Sequence, residues 1–222
     1  MILNLGLVVM TIVFFCIGYV INRRFPSFFT LPIFTASALM IVFLVSLDLS
    51  YDAYAGARAF FSFMMGPAIV AFAVPMYAVR SIIYRYLPFV ILGIIIGVTV
   101  SLGMTLLFSH VLPLSATVVT ALWSKNVTLP VALIIADDIA ASPSLVAIGV
   151  VLSGCLGAAF GDRILNAMGI HHRIARGVAM AAVAHIMGAS RSMLLNKEEG
   201  AIALITMAGT AIVASVVIPL IA

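Results

Sequence analysis

Lys125, Asn126 and Thr128 cluster just before Pro130 in the stretch WSKNVTLPVALIIADDIAASPSLVA, residues 123–147, and Asp137 and Asp138 follow in the same run. A cation, an amide and a hydroxyl beside a proline-interrupted helix end form a donor set suited to a small anion, because helix N-termini favour negative charge. Ser144, next to Pro143, is counted with them. The alternative is that Lys125 snorkels from a half-helix to an interface. Adjacent carboxylates on a helix point about 100° apart, so one of them at most needs to face a cavity. Buried, Asp137 could carry a proton or meet a coupling ion; in a loop both aspartates are simply hydrated. A second polar run, AHIMGASRSM, holds His185, Gly188, Ser190 and Arg191. In an unbroken helix, His185 and Arg191 lie about 120° apart, whereas a break near Gly188 would let them converge on one ligand. Arg191 is the anion-binding candidate unless it snorkels, and His185 is either a proton carrier or an interhelical hydrogen-bond partner. Glu198 and Glu199, in NKEEG, read as a hydrated loop.

These residues sit in a chain that is 65% hydrophobic and 8% charged, a ratio at which no water-soluble domain can cover itself. The elements that position them are therefore membrane helices in one integral domain, residues 1–222. A β-barrel would show ten-residue alternation instead of continuous apolar runs. The net charge of +4 comes from basic residues at helix ends, which set topology and do not form a nucleic-acid patch. Cys16 and Cys155 lie in apolar runs and read as packing. Walker A, GxSxG, HExxH and CxxC patterns are all missing, which points away from an enzyme and implies neither cofactor nor metal.

About seven to eight transmembrane segments fit the length. They are expected at 3–21, 29–47, 59–80, 88–111, 116–142, 143–164, 177–193 and 201–221. The first is expected to be retained, since MILNLGLVVM has no basic n-region, and it closes on Asn22, Arg23, Arg24 and Pro26. Gly66, Pro67 and Pro75 are expected to break the third, and Pro130, Pro143 and Gly188 the later ones. Placing Arg24, Arg80, Arg85, Arg163, Arg173 and Arg176 inside requires residues 116–142 to dip in and return; this gives an outside N-terminus and an inside C-terminus. One interrupted segment in each half suggests an inverted repeat.

The ordered blocks Met65-Gly66-Pro67-Ala68 through Ala73-Val74-Pro75-Met76-Tyr77, Ser124–Ala132 with Ile139–Ala147, and Ile174-Ala175-Arg176-Gly177 through His185, Gly188, Arg191 and Glu198-Glu199-Gly200-Ala201 resemble the LrgB/CidB antiholin-like membrane proteins over nearly the whole chain. Ala140-Ala141 replace that family's paired glycines, Val146 a usual threonine and Ser124 a leading proline. The resemblance implies a multi-pass protein of the bacterial inner membrane with one of two roles. One is transport of small monocarboxylates such as glycolate, glycerate or pyruvate, as in plastid glycolate/glycerate translocators. The other is partnership with a small LrgA/CidA-type holin-like protein that regulates murein hydrolase activity and cell lysis. Implied partners are an organic acid anion, the lipid bilayer and that small membrane protein, with no nucleic acid; a homodimer is left open.

Overall fold

An apolar chain satisfies its backbone polar groups most simply within helices. The computed structural model, which describes residues 2–25, 27 and 29–222, contains helices and turns with no strand among those residues. Pro26 lies outside the described residues. The helices are α1 (Ile2–Arg24), α2 (Pro32–Ser46), α3 (Ala55–Ala71), α4 (Ala73–Ala78), α5 (Arg80–Val111), α6 (Ala116–Leu122), α7 (Leu129–Asp138), α8 (Pro143–Ala167), α9 (Arg173–Leu195) and α10 (Lys197–Ile221). They fall into two compact units, residues 1–73 and 74–222.

In the first unit, α1 and α2 are antiparallel. Gly18 lies against Pro32 and Thr35 at one end, and Leu7 and Val8 share a buried cluster with Met40, Leu44 and Ala57 at the other. Phe14 meets Phe43 edge to face at 5.8 Å. The Thr11 hydroxyl, 2.9 Å from the Tyr54 hydroxyl, ties α1 to the 3₁₀ turn Tyr51–Tyr54. α3 runs unbroken through Gly66 and Pro67 to Ala71, so these do not interrupt it; the helix lapses for one residue at Phe72, which keeps near-helical angles of φ −66 and ψ −18. Pro75 lies inside the short α4.

The second unit is ordered by close approaches at small residues. Gly93 and Gly97 of α5 lie against Val178 and Ala182 of α9, so these stretches run parallel. Gly157 and Gly161 of α8 lie against Ala184 and Met180, so α8 runs antiparallel to both. The start of α5 therefore shares one end of the unit with the finish of α8; call this the Arg85 end and the opposite one the His110 end. α6 leaves the His110 end, the chain turns through 123–128, and α7 returns to the same end, where 139–142 lead into α8. Residues 116–142 thus form two short helices joined by a turn.

A second reversal lies within α9. His185 has φ 40 and ψ −126, far from helical values, and beyond it the helix folds back, bringing Gly188 against the Met180 carbonyl and Ala184. Residues 173–184 thus leave the Arg85 end and residues 186–195 return to it. Asn196 alone joins them to α10, whose Gly200 packs on Met193. The break is at His185, three residues before the expected Gly188, which sits inside the returning limb because only a glycine fits against the Met180 backbone. Pro130 and Pro143 stand in the first turns of α7 and α8, where a missing N–H costs nothing; they start helices and the breaks precede them.

Six stretches among the described residues are long and apolar enough to cross a membrane. One is Arg173–Leu195, which doubles back, and α2 at Pro32–Ser46 is shorter. Asn196–Gly200 lies at the Arg85 end, and the C-terminus lies at the end opposite Arg85 and Arg173, where an unbroken α9 would have put it beside them.

Candidate functional site

The turn between α6 and α7 and the turn at His185 enter the second unit from opposite ends and meet at the middle of α8. Lys125 and Asn126 are on the first tip. Lys125 packs on Gly149, and its Nζ donates to Thr105 Oγ1 at 2.6 Å and to the Ser101 carbonyl at 3.2 Å. Thr105 in turn donates to that same carbonyl at 3.0 Å. The lysine thus reaches sideways into α5. On the second tip, His185 is 2% exposed and its Nε2 donates to the Val150 carbonyl at 3.0 Å. A positive φ at a non-glycine residue stores roughly 1–3 kcal/mol and persists only where the surroundings over-determine it; the bond to α8 is part of that constraint.

Ser153 of α8 touches both tips. Its hydroxyl lies 3.1 Å from Asn126 Oδ1 and 2.8 Å from the Val183 carbonyl, both acceptors. The reversal at His185 denies Val183 a normal helical partner, and the serine supplies one. Two more buried polar atoms on the tips, Ser124 Oγ and His185 Nδ1, have no hydrogen-bond partner among the described residues. The crevice beside Lys125, lined by Ser101, Trp123, Asn126, Ala182 and Thr210 among others, has a volume of about 10 Å³. That is room for roughly one water, so the two tips are closed on each other.

A second polar cluster lies toward the Arg85 end. Arg176, 8% exposed, donates to Asp162, to Glu199 at 3.3 Å, to Asn166 Oδ1 at 2.7 Å and to the Ile170 carbonyl at 2.8 Å. Glu199 also accepts from the Ser192 hydroxyl at 2.8 Å, and Arg191 lies 3.6 Å from Asp162. Two arginines and two carboxylates therefore balance, tying the finish of α8 to both limbs of α9 and to the start of α10. Glu199 is 3% exposed in the first turn of α10 and not in a hydrated loop; Asn196 caps that turn, accepting from the Glu198 and Glu199 amides.

The fold thus brings Lys125, Asn126 and His185 to one place and separates Arg191 from them. Arg191 is six residues from the tip, roughly 9 Å along the limb, and it is engaged with Asp162. Thr128 is the N-cap residue of α7 without a side-chain cap bond. Ser144 and Ser190 are exposed. Asp137 and Asp138 are exposed in the last turn of α7, so the burial that a proton-carrying role for Asp137 requires is lacking. Sequence reasoning missed Ser101, Thr105, Ser153, Asp162 and Arg176 as partners. A Ser-x-x-x-Thr pair in an otherwise apolar helix was the available signal for the first two, since i and i+4 share a face.

Comparison with known proteins bears on the whole chain. The model of the LrgB-like family matches residues 11–222. The chain is 28% identical over 187 residues to the uncharacterized protein YwbG of Bacillus subtilis (strain 168), covering 84% of this chain and 83% of that one. It is 26% identical over 214 residues to the antiholin-like protein LrgB of Bacillus mycoides (strain KBAB4), covering 96% and 93%. No solved structure matches.

Proposed function

For a chain that belongs to the LrgB-like family, we propose a carrier of small monocarboxylate anions, of the glycolate, glycerate or pyruvate kind, in the cytoplasmic membrane of a bacterium. The observation that supports this reading is the Ser153 hydroxyl placed between two opposed hairpin tips, with the Lys125 cation beside it. Interrupted helices that meet at the bilayer midplane expose backbone and polar ends where an anion can be held, and carriers commonly bind there. A charge at such depth is costly, roughly 2.5–3.5 kcal/mol on insertion scales. Lys125 offsets this cost through hydroxyl and carbonyl partners, and an incoming carboxylate would replace them. The tips are closed, so binding requires one hairpin to withdraw. The closed arrangement then corresponds to an occluded point between two access states. No covalent chemistry is involved.

Uptake of radiolabelled glycolate and pyruvate into proteoliposomes containing the purified chain tests this. Saturable uptake that is lost in Lys125→Met is expected. No uptake by the unaltered protein would remove transport as an autonomous activity.

The name of the Bacillus mycoides relative, antiholin-like protein LrgB, supports a second reading more directly than it supports transport. In that reading the chain is the membrane partner of a small LrgA-type protein and acts on murein hydrolase activity and lysis. Co-purification of the two proteins, with altered lysis on deletion and no uptake by either alone, is the outcome that favours it. Uptake appearing only when both are present would make them a two-component carrier.

A further inference from the structure

A cavity of about 420 Å³ opens at the Arg85 end, lined by Ile82, Arg85, Tyr86, His171, His172, Arg173, Ile174 and Glu198. Neither proposed role uses it. We propose that it binds a phosphoryl anion, with the headgroup of an anionic phospholipid as the source.

Three features converge on that chemistry. Arg85 and Arg173 outnumber the single carboxylate, Glu198, so the lining is net positive with both histidines neutral. Both cations have neighbours in the lining: the Arg85 guanidinium lies 5.7 Å from the centre of the Tyr86 ring, Tyr86 packs edge to face on His172 at 6.0 Å, and Arg173 makes an exposed pair with Glu198 at 3.1 Å that an incoming anion can replace. The cavity also contains the first residues of α9, whose N-cap, His172, makes no side-chain cap bond. Helix-start amides beside arginine forks suit a tetrahedral oxyanion. Its place favours a lipid source. The cavity lies where the apolar α5 begins, beside Arg80 and Arg85, and Ile82 and Ile174 offer apolar wall next to the charges. Basic pockets between spanning helices take lipid headgroups in this way.

The test uses the full chain in detergent, with thermal unfolding followed by the fluorescence of Trp123, the one tryptophan of the sequence. Phosphatidylglycerol is expected to raise Tm by about 5 °C at concentrations well above its Kd, and phosphatidylcholine is expected to do much less. Arg85→Gln and Arg173→Gln should each remove most of that rise, while Glu198→Gln, which takes away the competing carboxylate, should enlarge it. All three side chains are on the surface, so the variants fold. If inorganic phosphate alone gives the variant-sensitive rise, the phosphoryl site stands and its source is soluble. Equal rises with phosphatidylcholine, no rise with any of them, or rises indifferent to Arg85→Gln and Arg173→Gln overturn it.

Discussion

Ala140 shows how a single methyl group bears on the first hairpin. It has φ 51 and closes α7 in a Schellman turn, with the Ala141 amide donating to the Ala136 carbonyl at 2.8 Å and the Ala140 amide to that of Asp137 at 3.3 Å. Two other helices end the same way. Gly169, φ 70, closes α8, and Asp48, φ 53, closes α2. Glycine takes this left-handed position freely, aspartate tolerates it, and alanine pays about 1–2 kcal/mol. Ala140→Gly is therefore expected to stabilise the protein by about 1 kcal/mol, seen as a raised unfolding temperature in detergent, whereas Gly169→Ala should lower it by a similar amount. The turn is made here by Ala140-Ala141, and the cost is conformational. Lys125 is the other decisive residue. Its environment is set by Ser101 and Thr105, 24 and 20 positions away, which is why reading its neighbours Ser124, Asn126 and Thr128 alone left its role open.

At the scale of elements, the sequence discloses where polar groups interrupt apolar runs but not which way the chain then goes. The expectation that 116–142 turns back rests on charge alone, since a straight crossing would put Arg163 and Arg173 on the side opposite Arg80 and Arg85. The reversal of α9 was not legible. Residues 173–195 have the length and hydropathy of an ordinary span, contain no proline, and turn at a histidine. What makes the turn possible is Gly188, where a Cβ would meet the backbone carbonyl of Met180, together with Arg176 and Glu199, which clamp the open ends of the limbs. Charge pairing between residues 23 positions apart cannot be read from one sequence, so Glu199 looked like a solvated loop residue. Gly188→Ala is expected to destabilise by at least about 2 kcal/mol, because a backbone group cannot move aside as a side chain can. Gly103→Ala in α5, where an added Cβ meets nothing within 4 Å, should be neutral or stabilising. Equal effects of the two substitutions on unfolding temperature would argue against the folded-back limb.

Across the second unit as a whole, the two hairpins leave only α5, α8 and α10 to run its full length. That odd number fixes where each turn must lie. Arg80, Arg85, Arg163, Arg173 and Lys197 fall at the Arg85 end, while the turns at the His110 end, residues 112–115 and 139–142, hold no lysine or arginine. By the positive-inside tendency the Arg85 end is expected to face the cytoplasm, which would put Ala222, one length of α10 away, on the outer side. Had α9 crossed once, Lys197 would be outside with His110 and the C-terminus inside. Single cysteines placed at His110, Lys197 and Ala222 in a Cys16→Ser, Cys155→Ser background separate the two arrangements. A membrane-impermeant maleimide is expected to label His110→Cys and Ala222→Cys in intact cells and to reach Lys197→Cys only after permeabilisation. Labelling of Lys197→Cys from outside, with Ala222→Cys protected, would restore a crossing α9 and pull apart the two tips on which the carrier site depends.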